Sequence, residues 1–241
     1  MYENRVLCLP QFVNNFDLFH IIFMEKFYNI DEQRHWNRED AWSNDGHEWS
    51  TGFGGTDNIW NNFIFDKIKE FRNKRILEIA PGRGRMTQYL SVLASKLQIV
   101  DLNESCIEYT RNKLKHHVDS YFVNDGKSLP VPNETQDLVF SYDSFVHMHK
   151  NVVEDYIKEI SRVLVPGGKA FIHHSNLVQG TEFSFQNVGG RANMDITTFS
   201  NIVEENGMFI VSQEVFKMND QVNDIISVFM KPFVYQVEEV K

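Results

Sequence analysis

The sequence predicts an α/β fold built on a parallel sheet with crossover helices, and three observations carry that prediction. From Asp57 onward, short apolar runs alternate with segments whose apolar residues recur at spacings of three and four. Glycine and proline punctuate the joins, at Pro81-Gly82, Pro130-Val131-Pro132-Asn133 and Pro166-Gly167-Gly168. Three acids, Glu78, Asp101 and Asp125, accompany the first three apolar runs, where open α/β sheets gather their ligand-binding groups.

Taken in order, Asn58 to Phe71 carries a helical apolar face of Ile59, Trp60, Phe63, Ile64 and Ile68. Arg75 to Ala80 is a strand stopped by Pro81-Gly82, and Met86 to Ala94 a helix. Leu97 to Leu102 reads as a second strand, Glu104 to His116 as a second crossover helix, Tyr121 to Val123 as a short third strand and Asp137 to Tyr142 as a fourth. Asn151 to Leu164 places Val153, Tyr156, Ile157, Ile160 and Leu164 on one helical face. Pro166-Gly167-Gly168 ends that helix, because proline cannot continue it and glycine supplies the turn. Lys169 to His174 is a fifth strand. Asp195 is positioned to cap a last helix ending near Gly207, and Met208 to Phe216 and Ile225 to Lys231 are two final strands.

Residues 1–57 differ from the rest. They hold Trp36, Trp42, Trp49 and the cluster Gly52-Phe53-Gly54-Gly55, without strand alternation. Phe12, Phe16, Phe19, Phe23 and Phe27 suggest an amphipathic helix whose aromatic stripe packs into a core. We read this part as a helical arm or lid on a main domain of residues 58–241.

Composition narrows the function. The chain of 241 residues carries 33 acids against 24 bases, a net charge of −9, which argues against a partner such as nucleic acid. Cys8 and Cys106 are too few for a disulfide framework or a cysteine zinc site. The most apolar stretch, Leu18 to Met24, is too short to cross a bilayer, and Met1 to Arg5 do not open a signal peptide, so the expected compartment is the cytoplasm.

The informative segment is Ile76-Leu77-Glu78-Ile79-Ala80-Pro81-Gly82-Arg83-Gly84-Arg85-Met86, a strand followed by a tight small-residue turn and a helix. Gly82 and Gly84 carry no Cβ, so backbone can approach a ligand closely there. A dinucleotide fingerprint would need a third glycine where Thr87 stands, and no Gly-Lys-Ser/Thr follows to make a nucleotide triphosphate loop. Asp101 closes the second strand, where a carboxylate can accept from ribose hydroxyls, and Asp125 could accept from an exocyclic amine.

The ordered set Glu78-x-Ala80-x-Gly82-x-Gly84, Asp101, Asn124-Asp125-Gly126 and Leu164-Val165-Pro166-Gly167-Gly168 resembles the class I S-adenosylmethionine-dependent methyltransferases over residues 58–232. Ala80 departs from the pattern, since many members have glycine there. The resemblance implies a Rossmann-like seven-stranded mixed sheet in the order 3-2-1-4-5-7-6, with helices on both faces and S-adenosyl-L-methionine as cofactor. It implies that Gly82 and Gly84 lie against the methionine moiety and that Glu78 orients the loop or reaches the amino group through water. Asp101 would bind the ribose, Leu102 flank the adenine and Asp125 accept from the adenine amine. Ser141 would offer its carbonyl to the ammonium group. The segments Phe140 to His147 and Phe171 to Asn176, with the Trp-rich start, are similar to a bacterial subgroup associated with sugar and surface-polysaccharide modification.

Methyl transfer from a sulfonium needs chiefly alignment, but an alcohol acceptor profits from a general base, typically histidine. His147 follows the fourth strand, and His173 and His174 end the fifth. Strand alternation sends His173 and His174 to opposite faces. The candidates are therefore His147 first and His174 second, with Asp143 orienting a histidine or binding a substrate hydroxyl. Arg191 could meet an anionic group. No recognised ligand spacing links these residues, so no metal is expected. Ser141-Tyr142-Asp143-Ser144 stands where amino-group methyltransferases acting on DNA carry Asn/Asp-Pro-Pro-Tyr/Phe. This favours oxygen methylation of a sugar, a sugar nucleotide or a capsule phosphoramidate. The competing readings are a cofactor-binding partner subunit without catalysis and a small-molecule N-methyltransferase.

Overall fold

The computed structural model describes residues 34–177, 190–217 and 223–233. The aromatic stripe Phe12 to Phe27 lies outside the described residues. Three 3-10 turns, Arg34–Asn37, Glu39–Ala41 and His47–Phe53, precede a continuous helical run. That run, α1, comprises Thr56–Ile59, a π turn at Trp60–Ile64, Phe65–Ile68 and a 3-10 end at Lys69–Phe71. There follow β1 (Arg75–Ile79), α2 (Thr87–Leu93), β2 (Lys96–Asp101), α3 (Glu104–Leu114), β3 (Ser120–Val123), β4 (Gln136–Phe145) and α4 (Lys150–Val163). The chain closes with β5 (Leu164–Ser175), α5 (Ile196–Glu205), β6 (Phe209–Lys217) and β7 (Asn223–Met230).

The strands form one sheet in the order β3-β2-β1-β4-β5-β7-β6, as the resemblance implied. β1 to β5 are mutually parallel, and β7 runs antiparallel to both β5 and β6. Alternation along β1 shows why both faces are covered. Leu77 and Ile79 enter the core shared with α4 and α5, while Ile76 enters the core shared with α1, α2 and α3. On α4, Val152, Val153, Tyr156, Ile157, Ile160 and Val163 are buried at helical spacing. Burial of each such side chain is worth roughly 1.5–3 kcal/mol, so this face holds α4 to the sheet. Asp195 caps α5 as expected, accepting from Thr198 N–H at 2.8 Å.

Two strands are longer than the sequence suggests. β5 begins at Leu164, so Pro166-Gly167-Gly168 lies inside the strand rather than ahead of it. Gly167, at φ +80°, donates to Lys231 O at 2.9 Å and keeps the kinked start tied to the end of β7. β4 runs through Phe145, with a register shift against β5 between Ser141 and Phe145. Asp143 lies in this shift at φ +63°. A bulge of this kind re-aims a side chain, and here it turns Asp143 off the ladder. The Asp143 N–H donates to His173 Nδ1 at 3.2 Å, so the backbone group released by the bulge is satisfied by a side chain.

Candidate active site

A cavity of about 340 Å³ opens at the carboxyl ends of β1, β2 and β4. One side of it is formed by Ala80 and Gly82 after β1, Asp101, Leu102 and Asn103 at the end of β2, and Gly126 after β3. The opposite side holds Asp143, Ser144 and His147 from β4 and its following turn, together with Arg191. A second depression shares Leu102 and Asn103 with it and extends past Asp125.

The loop after β1 is shaped by left-handed backbone at Ala80 (φ +55°), Gly82 (φ +56°) and Gly84 (φ +86°). The Gly82 N–H donates to Asp101 Oδ2 at 3.2 Å, and the Asn103 N–H to Oδ1 at 2.8 Å. Asp101 is thereby fixed at the cavity wall. Burial pushes its carboxyl up to about 6, against the opposing pull of these N–H groups. Glu78, buried beneath the loop, is pushed up to about 8 by burial, and its Oε2 has no partner within the protein. Of the two, Asp101 lines the cavity, where a buried carboxyl gains from an entering cation or hydroxyl donor.

The catalytic candidates separate. His147 lines the cavity. Its Nδ1 faces Gly190 O at 2.9 Å, which assigns the proton to Nδ1 and the basic lone pair to Nε2. Burial, with Arg191 nearby, lowers its pKa and keeps the ring neutral. The Gly190 segment is held in place by Ala192 N–H, which donates to Val146 O at 2.7 Å. Asp143 also lines the cavity. Burial works to raise its carboxyl, but the guanidinium groups of Arg85, foremost, and Arg191 hold it down at about 2.

His174 corrects the second expectation. It lies on the opposite sheet face from His173, outside the cavity lining, with its ring 3.7 Å from that of Phe199. Nδ1 pairs with Ser175 O and Nε2 with Ser227 Oγ, each at 2.8 Å, and burial lowers its pKa to about 3. A ring engaged at both nitrogens inside the core is a packing group, not a base. His173 stacks on Tyr142 and supports the bulge.

Other expected cofactor contacts lie off the cavity. Gly84 serves close packing instead, because a Cβ there would sit 3.1 Å from Leu114 Cδ1 of α3. Ser141 is fully buried and donates its hydroxyl to Ile79 O at 2.8 Å. Asn124 Nδ2 donates to Ser128 O and to the Tyr156 hydroxyl, at 2.9 and 3.0 Å. Asp125 borders the second depression, and its Oδ1 accepts from the Lys127 and Ser128 N–H groups.

The residues that sequence reasoning did not assign to the site are aromatic. Trp36, Trp42 and Trp49 line the cavity and pack on one another at 5.2–5.8 Å between ring centroids. Trp42 covers Gly82 so closely that a Cβ there would fall 2.4 Å from its ring. Asn37 anchors this segment to α3, accepting from Ser105 N–H at 3.1 Å through Oδ1 and from the Ser105 hydroxyl at 2.9 Å through its carbonyl. Arg85, just past the glycine loop, donates to Ser50 Oγ at 3.0 Å and to Asp143 Oδ2 at 2.6 Å, joining aromatic segment and β4 bulge. The signal for the aromatic wall was the tryptophan density itself. Among the described residues, no group of three His, Cys, Asp or Glu side chains is placed to hold a metal ion.

A family model described as a methyltransferase domain matches residues 76–168, from β1 through the start of β5. The match spans the glycine loop, Asp101 and the β4 bulge, and the sheet order is that of the class I methyltransferase fold. The chain is 30% identical over 127 residues to the ubiquinone/menaquinone biosynthesis C-methyltransferase UbiE of Hahella chejuensis (strain KCTC 2396), covering 49% of each protein. The chain thus spans about half the length of the curated relatives it matches. Among solved structures, the fold is similar to that of the cyclase SpnF, with TM-score 0.61 and 15% identity over 80% of this chain and 86% of that one. It is also similar to a phosphoethanolamine N-methyltransferase of Haemonchus contortus in complex with S-adenosylhomocysteine, with TM-score 0.60 and 17% identity over 83% and 60% of the two chains. These similarities make S-adenosylmethionine the cofactor against which the cavity is tested. The Asp101 carboxylate, with Leu102 and Gly126 beside it in the cavity wall, fits its ribose and adenine, whereas Glu78 lies outside the lining and Trp42 covers Gly82.

Proposed function

We propose that the whole chain is a cytoplasmic S-adenosylmethionine-dependent O-methyltransferase. Its acceptor is a small hydroxyl-bearing molecule, a sugar or a surface-polysaccharide precursor, and His147 is the general base. The observation that carries this reading is the His147 tautomer, which presents a basic nitrogen in the same cavity as Asp143 and the cofactor-side carboxylate Asp101. When bound, the cofactor supplies an already activated methyl group. Asp101 would accept from the ribose hydroxyls, Leu102 would flank the adenine, and Ala80 would border the same hollow, with Trp42 lying over Gly82. On the acceptor side, Asp143 accepts from a hydroxyl, and His147 Nε2 takes the acceptor proton as the new bond forms. Residues 34–57 act as the lid, with the indoles excluding water from the reacting groups.

Incubation with labelled S-adenosylmethionine and a panel of sugars tests the reading. Transfer to a hydroxyl, lost by about 10²–10⁴-fold in His147→Ala with cofactor affinity retained, is the expected result. Transfer to carbon or nitrogen, or full turnover by the variant, would overturn the base assignment. Cofactor binding with no transfer to any acceptor would favour a non-catalytic partner subunit.

A further inference from the structure

The acceptor side of the cavity draws on four formal charges, and each is answered inside the protein. Arg85 Nη2 donates to Asp143 Oδ2 at 2.6 Å. Arg191 donates to Asp224 Oδ2 through Nη2 at 2.9 Å and through Nε at 3.2 Å, and its Nη2 lies 3.8 Å from Asp143 Oδ1. The side chains are withdrawn from water, with exposures of 8% for Arg85, 15% for Asp143, 9% for Arg191 and 0% for Asp224. His173 also belongs to the cluster: its Nδ1 accepts the Asp143 N–H and therefore carries no proton in that contact, and its Nε2 lies 3.3 Å from Asp224. Two guanidinium groups thus face two carboxylates with no excess of either sign. The neighbouring wall is uncharged, formed by Trp36, Trp49 and Met148.

We propose that the acceptor subsite selects an uncharged, hydroxyl-bearing molecule and rejects phosphorylated or carboxylated ones; this rests on the methyltransferase reading above. A buried anion needs a cation not already neutralised, and here both arginines are held by carboxylates. A hydroxyl both donates and accepts, so it can join a balanced Arg–carboxylate array without disturbing its charge. Indole faces complement the C–H face of a ring whose hydroxyls point elsewhere. Of the acceptors considered from the sequence, the neutral sugar remains, while a phosphoramidate or nucleotide phosphate is excluded from the pocket. Arg191 is the residue that would otherwise invite an anion, and Asp224 cancels it.

The test uses the full chain and reads thermal shifts. S-adenosylhomocysteine should raise the melting temperature; failure of this arm would sink the methyltransferase reading irrespective of acceptor charge. On protein loaded with S-adenosylhomocysteine, inorganic phosphate is compared with chloride at equal ionic strength, in the wild type and in Arg191→Gln. No Arg191-dependent phosphate shift is expected, and an Arg191-dependent one would overturn the proposal. Asp224→Asn, which leaves Arg191 under-neutralised, should acquire a phosphate shift absent from the wild type. A comparison that needs no variant is glucose against glucose 6-phosphate on the loaded wild type. A shift with the phosphate ester equal to or larger than that with glucose would overturn the proposal, and a smaller one supports it.

Discussion

Ala80 sits at φ +55°, in the left-handed region where a Cβ costs roughly 1–2 kcal/mol. Its N–H donates to Val100 O at 2.7 Å, which ties the residue to β2 in that conformation. Ala80→Gly should therefore stabilise the fold by up to about 1 kcal/mol, the relieved strain being partly offset by ~0.4–1 kcal/mol of added unfolded-state entropy. Urea unfolding of the two proteins checks this, and a less stable variant would mean the alanine methyl packs usefully. Two residues further on, the same backbone demand is met without cost by Gly82, whose missing Cβ makes room for Trp42. Asp101 carries the second prediction. Asp101→Ala should weaken S-adenosylhomocysteine binding by ~1–3 kcal/mol, because ribose hydroxyls lose their acceptor. Titration calorimetry reads the change directly, and unaltered affinity would remove Asp101 from the site. The place of Ala80, Gly82 and Asp101 on the cavity wall was legible in the sequence because each followed an apolar strand run. Arg85, His173 and Asp224 were not, because their importance arises from ion pairs between segments far apart in the chain.

At the scale of elements, the alternating strands and helices were visible from apolar periodicity, and most boundaries shifted by only a residue or two. The β4 bulge was not visible, since Ser141-Tyr142-Asp143-Ser144 has no glycine or proline to mark it. It nonetheless decides which way Asp143 points. Pro166-Gly167-Gly168 misled in the other direction: its turn residues are accommodated at the start of β5, where Gly167 and Gly168 bond to Lys231 instead of leaving the sheet. The segment from Trp36 to Phe53 also escaped, because 3-10 turns leave no period for the apolar residues to follow. Its attachment to α3 gives a prediction. Asn37→Ala removes the side-chain acceptor of Ser105 N–H in the first turn of α3, a loss of about 1 kcal/mol. Cofactor affinity should fall with it, because the tryptophans are held over Gly82 by the same attachment. Parallel measurement of stability and cofactor binding checks both, and stability loss with unchanged binding would separate the aromatic segment from the cofactor site.

Over the whole molecule, acidity is distributed to suit a cationic ligand. The chain carries a net charge of −9, and of its buried carboxyls Asp101, at about 6, lines the cavity while Glu78, at about 8, lies on β1 beneath the glycine loop. Both are raised above their ordinary values of 4.5 and 3.8, so the stability they contribute is present at low pH and lost as pH rises through about 6 and about 8. Asp143, depressed to about 2, works in the opposite sense and loses its contribution only as pH falls from its ordinary 3.8 toward that value. S-adenosylmethionine carries one net positive charge and favours the ionised carboxyls. The rise in melting temperature that it causes should therefore grow between about pH 5 and about pH 8, and a flat profile would show that neither group meets it. The aromatic wall has a separate use for whoever studies this protein. Three of the chain's four indoles border one hollow. Their intrinsic fluorescence is thus concentrated where ligands must enter, and emission colour and quenching can follow occupancy in real time without any attached dye.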